Sequence, residues 1–127
     1  MLIDTDVLIW YMRGNEKAFK TIEGLNDLFI SIVTYIELVQ GMRNKQELTE
    51  LRRAIRNWNC KIIHINEEIS FKAMFYVERN FQSNSLQLAD SLIATTAIVN
   101  GLTLLTGNDK HFQVIKELDI KRFRPER

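Results

Sequence analysis

The stretch MLIDTDVLIW, residues 1–10, passes from a short apolar run into an acidic pair, Asp4 and Asp6, which only Thr5 separates. The apolar run predicts a buried strand, and the residues after the pair predict a helix. Two unit charges 4 Å apart repel by about 4 kcal/mol at an effective dielectric of about 20. Solvent, a helix N-terminus, a proton or a metal must therefore offset the repulsion.

The rest of the chain alternates between apolar runs and amphipathic stretches. The predicted strands are MLI at the start, DLFISIV from Asp27, KIIHI from Lys61, LTLLT from Leu102 and DIKRF near the C-terminus. The predicted helices are DVLIWYMR, NEKAFKTIEGL, TYIELVQGM, KQELTELRRAIRNW, INEEISFKAMFYVERNF and SLQLADSLIATTAIVNG. The last helix is predicted to begin at an N-cap, Ser85, and to end at Asn100-Gly101. This alternation predicts an α/β protein with a mostly parallel sheet covered on both faces, where ligands bind beyond the carboxyl ends of the strands.

Composition limits the class of protein. With 127 residues, 46% of them hydrophobic, and one proline, the chain is predicted to form a single globular domain over residues 1–127. No apolar stretch is long enough to span a bilayer, and Asp4 and Asp6 stand where a signal peptide would be basic. The single cysteine, Cys60, excludes an internal disulfide and fits a cytoplasmic protein.

The net charge of +1 indicates no partner by itself, but basic residues are clustered. Arg52, Arg53 and Arg56 lie together in one predicted helix, and the chain ends in KRFRPER. Each cluster would suit either phosphate binding or an ordinary solvated surface.

Each acidic residue has a structural explanation beside a functional one. Asp4 and Asp6 are candidate helix caps, although a cap needs only one of them. Glu37 follows Thr34 at the spacing of a capping box, unless the helix begins earlier at Ser31, in which case Glu37 lies within it. Asp90 is predicted to lie well inside an apolar helix, where a carboxylate must be paired, protonated or metal-bound.

The strand exit TGNDKHF carries the remaining candidates. Asn108 and Asp109 are compatible with an ordinary turn, and Thr106 supplies a further oxygen at the end of the strand. His111, like His64 in an earlier strand, is interpreted as structural. Four separated segments thus bring acidic or amide oxygens to one edge of the sheet, and such oxygens suit Mg²⁺ or Mn²⁺ rather than zinc. Crowding of these carboxylates is expected to raise the pKa of at least one of them.

These segments together resemble the PIN-domain ribonucleases, and within them the VapC-type toxins of toxin–antitoxin pairs. The matching pieces are LIDTDVLI, SIVTYIELVQG and LADSLIATTAIVNGLTLLTGNDKHF, in the expected order over nearly the whole chain. The resemblance implies a three-layer sandwich with a five-stranded parallel sheet of order 3-2-1-4-5. It also implies Mg²⁺- or Mn²⁺-dependent cleavage of RNA, neutralisation by a small cognate antitoxin, and a homodimer or a toxin–antitoxin hetero-oligomer.

The resemblance also implies roles for individual residues. Asp4, Glu37 and Asp90 match the first three family carboxylates, and Asp4, Asp90 and Asn108 are the implied metal ligands. The fourth position is Asn108, two residues after Thr106, with Asp109 as the alternative source of charge. Asp6 stands where the family more often has asparagine, so it adds a negative charge beside the metal ligands. Thr106 is implied to lie beside them as well and to contribute its hydroxyl.

Two other functions remain open from the sequence. The segment IDTDVL also resembles the D-x-D motif of haloacid-dehalogenase-like phosphatases, in which Asp4 would be the nucleophile. That interpretation leaves Glu37 and Asp90 unexplained. A catalytically inactive interaction module, whose acidic pocket binds a basic partner, would account for Asn108 in place of an acid.

Overall fold

The computed structural model describes residues 1–83 and 86–125. Its five short strands are β1 (Leu2–Ile3), β2 (Phe29–Ser31), β3 (Lys61–Ile63), β4 (Leu104–Thr106) and β5 (Ile120–Arg122). The helices described are α1 (Thr5–Met12), α2 (Glu16–Glu23), α3 (Ile32–Gln40), α4 (Lys45–Asn57), α5 (Glu67–Arg79), α6 (Leu88–Val99) and α7 (Asp109–Phe112). The predicted cap Ser85 lies outside the described residues. Among those described, no helix is long and apolar enough to cross a membrane.

The strands form one parallel sheet in the order β3-β2-β1-β4-β5. Leu2 pairs with Phe29 of β2 on one side and with Leu104 of β4 on the other, so β1 occupies the centre. Because the chain leaves β1 for α1 and later enters β4 beside it, the ends of these two strands meet where the strand order reverses. The predicted fold class and strand order are confirmed.

The two faces of the sheet carry separate apolar clusters. Ile3 and Leu105 pack with α1, α2 and α4, whereas Leu2 and Leu104 pack with α5, α6 and α7. Successive side chains of a strand point to opposite faces, so two adjacent apolar residues in each central strand are enough to hold a helical layer on either side. The result is the predicted three-layer sandwich.

Several observed boundaries differ from the predicted ones, and three of them bear on the site. The strand predicted from Asp27 stops at Ser31, because the Ser31 hydroxyl accepts a hydrogen bond from Val33 N–H and starts α3 there. The last long helix begins at Leu88, later than expected from Ser85. The turn predicted at Asn108 and Asp109 leads directly into a short helix, α7.

Candidate active site

Asp4 lies at the exit of β1 and is the N-cap of α1. Its Oδ1 accepts a hydrogen bond from Thr5 N–H at 2.8 Å, and its Oδ2 accepts one from the Thr106 hydroxyl at 2.7 Å. The residue is only 4% exposed. Burial, followed by repulsion from Asp6, raises the pKa of Asp4 from 3.8 to about 7 against the effect of these hydrogen bonds. At least one carboxyl pKa is raised, as expected, but burial contributes more to the rise than the neighbouring carboxylates do.

Asp6 lies in the first turn of α1 and contacts the loop after β4. Its Oδ2 accepts a hydrogen bond from Gly107 N–H at 2.9 Å. Its Oδ1 is buried, and it is the one buried side-chain oxygen or nitrogen in the described part of the chain without a hydrogen-bond partner. Burial raises the pKa of Asp6 as well. Capping by Asp6 was left open above, and the structure assigns the cap of α1 to Asp4 instead.

Gly107 permits the close approach of Asp6. A Cβ atom at this position would stand 2.5 Å from Asp6 Oδ2 and 3.2 Å from the backbone carbonyl oxygen of Phe123. The first distance is too short for any side chain larger than hydrogen without displacing the carboxylate. A glycine is therefore needed where the loop passes between α1 and the end of β5.

Glu37 lies inside α3, because Ser31 is the N-cap. The alternative with an earlier helix start is thus the correct one, and Thr34 is not the cap. The Thr5 hydroxyl donates a hydrogen bond to Glu37 Oε1 at 2.7 Å and lies 3.0 Å from the buried Thr34 hydroxyl. This contact joins the start of α1 to the middle of α3 and orients the carboxylate of Glu37.

Asp90 lies in the first turn of α6, not deep within the helix as predicted. A hydrogen bond from a backbone N–H of Gln87 lowers its pKa, so a capping-type contact does account for part of its environment. Burial raises the pKa of Asp90 by more, and Glu37 raises it further. Asp90 also contributes to the raised pKa of Asp4, so the three carboxylates share one electrostatic environment.

His111 lies against Asp90, with 3.8 Å between its Nδ1 and Asp90 Oδ2. The side chain is 60% exposed. His111 was interpreted as a loop or structural histidine rather than a metal ligand, and the structure places its ring beside Asp90. The sequence carried no signal of this contact, because it depends on how α7 packs against α6.

The loop after β4 places its candidates differently. Asn108 N–H donates a hydrogen bond to Thr106 Oγ1 at 2.9 Å, and the Asn108 side chain is exposed. Asp109 is buried at the start of α7, where its Oδ1 accepts a hydrogen bond from Arg124 Nη2 at 3.0 Å. This contact lowers the pKa of Asp109. The charge of Asp109 is thus balanced by Arg124, whereas Asp4 and Asp6 have no cation as a hydrogen-bonding partner among the described residues.

The donors near Asp4 suit a hard divalent cation in type and charge. Asp6 Oδ1 is buried and unpartnered, and burial followed by repulsion from Asp6 raises the pKa of Asp4, a cost that a bound cation would relieve. Within residues 1–83 and 86–125, no three acidic, histidine or cysteine side chains already form a ready ligand set.

Comparison with known proteins gives consistent matches over nearly the whole chain. The family model described as PIN domain matches residues 1–118. Ribonuclease VapC1 of Methanocaldococcus jannaschii is 32% identical over 122 residues, which cover 95% of this chain and 85% of the relative. Ribonuclease VapC10 of Mycobacterium tuberculosis is 34% identical over 122 residues, covering 93% of this chain and 90% of the relative.

Solved structures also match the chain over nearly its whole length. A toxin–antitoxin complex from Klebsiella pneumoniae contains a chain with a TM-score of 0.78 and 27% identity, covering 98% of this chain and 97% of that one. VapBC2 from Rickettsia felis, bound to a DNA fragment from its promoter, contains a chain with a TM-score of 0.85 and 20% identity. It covers 97% of this chain and 98% of that one, and at this identity the likeness concerns the fold alone.

Proposed function

The chain belongs to the PIN domain family, and we propose that it is a metal-dependent endoribonuclease, the toxin of a toxin–antitoxin pair. Both relatives named above are ribonucleases of the VapC group by name. The family match argues against the phosphatase alternative, which also leaves Glu37 and Asp90 without a role.

The observation that carries the proposal is a group of electrostatically linked carboxylates around the exit of β1, of which Asp4 is buried and Asp6, Glu37 and Asp90 are partly buried. Asp4, Asp6 and Asp90 come from two separate chain segments, and burial raises the pKa of each. Glu37, from a third segment, raises the pKa of Asp90 further. Stability alone would not favour such a cluster, because repulsion and desolvation both oppose ionisation. A site that gathers negative charge in this way is suited to hold a cation against a phosphate.

We assign the roles of the site residues within this proposal. Asp4 and Asp90 would hold Mg²⁺ or Mn²⁺, with Asn108 available from the loop after β4. When bound, the cation supplies Lewis-acid chemistry for hydrolysis of a phosphodiester by water. Glu37, oriented by Thr5, would accept hydrogen bonds from water on the opposite side of the pocket.

The surface beside Glu37 would receive the substrate. A cavity of about 560 Å³ borders this residue, with the apolar Ile9 and Met42 and the basic Arg13 and Arg43 in its lining, together with Glu47, which forms an ion pair with Arg43. Apolar surface suits bases and arginine suits phosphates, so the lining fits a stretch of single-stranded RNA. A second cavity of about 570 Å³, between α2 and α4, is lined by none of the acidic site residues.

The proposed partners are a cognate antitoxin and a second copy of the chain, in the cytoplasm. Charge complementarity supports the antitoxin, since an acidic pocket accepts a basic side chain from a partner segment. An apolar patch supports the homodimer: Phe71, Met74 and Phe75 of α5 are each at least half exposed at helical spacing. We expect Phe71→Asp to shift the protein towards the monomer in sedimentation velocity, and an unchanged profile would exclude this patch as the dimer surface.

Cleavage of total cellular RNA by the purified protein tests the activity. We expect fragments in the presence of Mg²⁺ or Mn²⁺, none in EDTA, and a loss of at least about 100-fold in Asp90→Asn. Asp119→Asn is the matched control, because Asp119 is an exposed aspartate outside the site. Equal cleavage by Asp90→Asn and the wild type, at equal melting temperature, would refute the role of Asp90.

Calorimetric titration with Mg²⁺ separates the enzyme from an inactive interaction module. The proposed enzyme binds the cation at the acidic pocket, and Asp4→Asn abolishes the binding. Absence of Mg²⁺ and Mn²⁺ binding together with absence of RNA cleavage would favour the module.

A further inference from the structure

Arg124 makes several hydrogen bonds at the far side of the acidic pocket. Its Nη1 donates to the backbone carbonyl oxygens of Gly107 and Phe123, each at 3.0 Å, and its Nη2 donates to Asp109 Oδ1 at 3.0 Å. These acceptors lie on the loop after β4, on the start of α7 and next to Arg124 itself. The guanidinium therefore ties the chain after the edge strand β5 to the loop that borders the site.

The backbone places Arg124 over this loop. Thr106 pairs with Arg122 in the parallel ladder, and Phe123 N–H donates to Thr106 carbonyl oxygen at 2.9 Å. This bond extends the ladder one residue beyond β5. By the same register Phe123 lies opposite Gly107, and the side chain of the next residue, Arg124, reaches the Gly107 carbonyl oxygen.

The Gly107 carbonyl belongs to the same peptide unit as Asn108 N–H. Asn108 N–H donates to Thr106 Oγ1 at 2.9 Å, and the Thr106 hydroxyl donates to Asp4 Oδ2 at 2.7 Å. All three hydrogen bonds run in the same direction, from the guanidinium to the carboxylate. We call this chain of Arg124, Gly107, Asn108, Thr106 and Asp4 the Arg124 relay.

We propose that Arg124 is a positioning residue that acts on Asp4 through the Arg124 relay. Hydrogen bonds in one direction strengthen one another, because each accepted bond polarises the next donor. A cation at the start makes the Gly107–Asn108 peptide a stronger donor and so holds the Thr106 hydroxyl on Asp4 Oδ2. Asp4 is thereby kept in one orientation, with its remaining lone pairs directed away from Thr106.

Asp109 anchors the relay in this scheme. Its carboxylate is engaged by Arg124, which orients the guanidinium towards the Gly107 carbonyl. Asp109 is then a positioning residue as well, and Asn108 is the side chain of this loop that remains free to serve as the fourth site residue. The inference rests on the proposed function only in taking Asp4 as a metal ligand.

Arginine is required for geometric reasons. Three acceptors are satisfied by two nitrogens of one planar group, whereas a lysine ammonium is a single point donor on a flexible stem. We therefore expect Arg124→Lys to keep the charge and to restore the relay only in part.

The amide proton chemical shift of Asn108 in the ¹⁵N-labelled, metal-free protein reports on the strength of its hydrogen bond in the Arg124 relay. We expect Arg124→Met to move the Asn108 amide proton upfield by more than any amide outside residues 104–109, and Arg124→Lys to give an intermediate position. Arg122→Met is the matched control: Arg122 also attracts Asp109 by charge, but its exposed side chain is no part of the relay. This control should leave the Asn108 resonance in place. An unmoved Asn108 amide in Arg124→Met, or an equal displacement in Arg122→Met, would overturn the proposal.

Metal affinity gives the second measurement. Loss of the hydrogen bond directly behind a ligand weakens metal binding by about 10- to 100-fold, and Arg124→Met only weakens that bond, so we expect a Mg²⁺ affinity lower by several-fold, up to about 10-fold, in calorimetry, with Arg122→Met unchanged. A displaced Asn108 amide with unchanged affinity would refute the positioning role. Should Arg124→Met fail to fold, Asp109→Asn must displace the same amide in the same direction by a smaller amount. If the wild type cleaves no RNA but the Asn108 amide responds as stated, the proposed function fails and the relay stands.

Discussion

Replacing Asp4 by asparagine should stabilise the metal-free protein in a pH-dependent manner relative to the wild type. The pKa of Asp4 is about 7 in the folded state against 3.8 for an aspartate side chain in water. Because the folded state holds its proton more tightly, it binds more protons than the unfolded chain between these values, and stability falls as the pH rises through them. Integrating the linkage relation for this one carboxyl gives about 2.5 kcal/mol of destabilisation between pH 5 and pH 8.

Asparagine keeps the shape of the side chain and removes its charge. It also replaces one oxygen by an amide group, so either Thr5 N–H or the Thr106 hydroxyl loses its acceptor, at a cost of about 1 kcal/mol at every pH. The difference in unfolding free energy between Asp4→Asn and the wild type should therefore move in favour of the variant by about 2.5 kcal/mol from pH 5 to pH 8. Asp6 is present in both proteins, and removing the charge of Asp4 also relieves repulsion on Asp6. The change in the free-energy difference should therefore stay close to about 2.5 kcal/mol.

Urea unfolding at 25 °C in EDTA, at pH 5, 6, 7 and 8, measures this difference. The control Asp119→Asn changes an exposed carboxylate and should differ from the wild type by a constant amount. A constant difference for Asp4→Asn over the same range would show that Asp4 is not held near its neutral form, and the electrostatic account of the pocket would fail.

Three further outcomes follow from the same geometry. Gly107→Ala should cost about 1–3 kcal/mol, because its Cβ would stand 2.5 Å from Asp6 Oδ2; a double-mutant cycle with Asp6→Ala should recover most of the loss, and additive losses would contradict the clash. Thr5→Val should lower the unfolding free energy by about 1 kcal/mol and reduce RNA cleavage through Glu37, whereas wild-type cleavage would mean that Thr5 does not orient the carboxylate. Mg²⁺ at 100 times its Kd should raise the unfolding free energy of the wild type by about 2.7 kcal/mol; an equal rise in Asp4→Asn would locate the cation elsewhere.

The position of Asp4 follows from local sequence, and that of Asp90 does not. Asp4 ends the apolar run at the chain start and precedes a helix, so strand and helix patterns both place it at a strand exit. Asp90 was assigned to the interior of a helix because its neighbours are apolar on most sides. The helix instead begins at Leu88, and the periodic pattern contained no strong cap to mark that boundary.

Contacts between distant segments could not be predicted from the sequence for a different reason. Thr5 and Glu37 are oriented by each other, His111 reaches Asp90, and Arg124 holds the loop at Gly107. None of these pairs lies within one helical turn or one strand of its partner, so no periodicity or spacing rule connects them. The sheet order brings the ends of β4 and β5 together for the Arg124 contact, and the packing of α1 on α3 and of α7 on α6 makes the other two.

The sequence by itself determined the class of fold and the position of Asp4 at the exit of the first strand, and it supplied the other acidic candidates, because hydrophobic periodicity and local capping chemistry are short-range properties. Only the tertiary structure decided what each acid does. It paired Asp109 with Arg124 and left Asp6 Oδ1 buried without a partner. The physical reason is that a carboxylate takes its character from burial and from neighbours a few ångströms away. Those neighbours are chosen by the packing of elements that lie far apart along the chain.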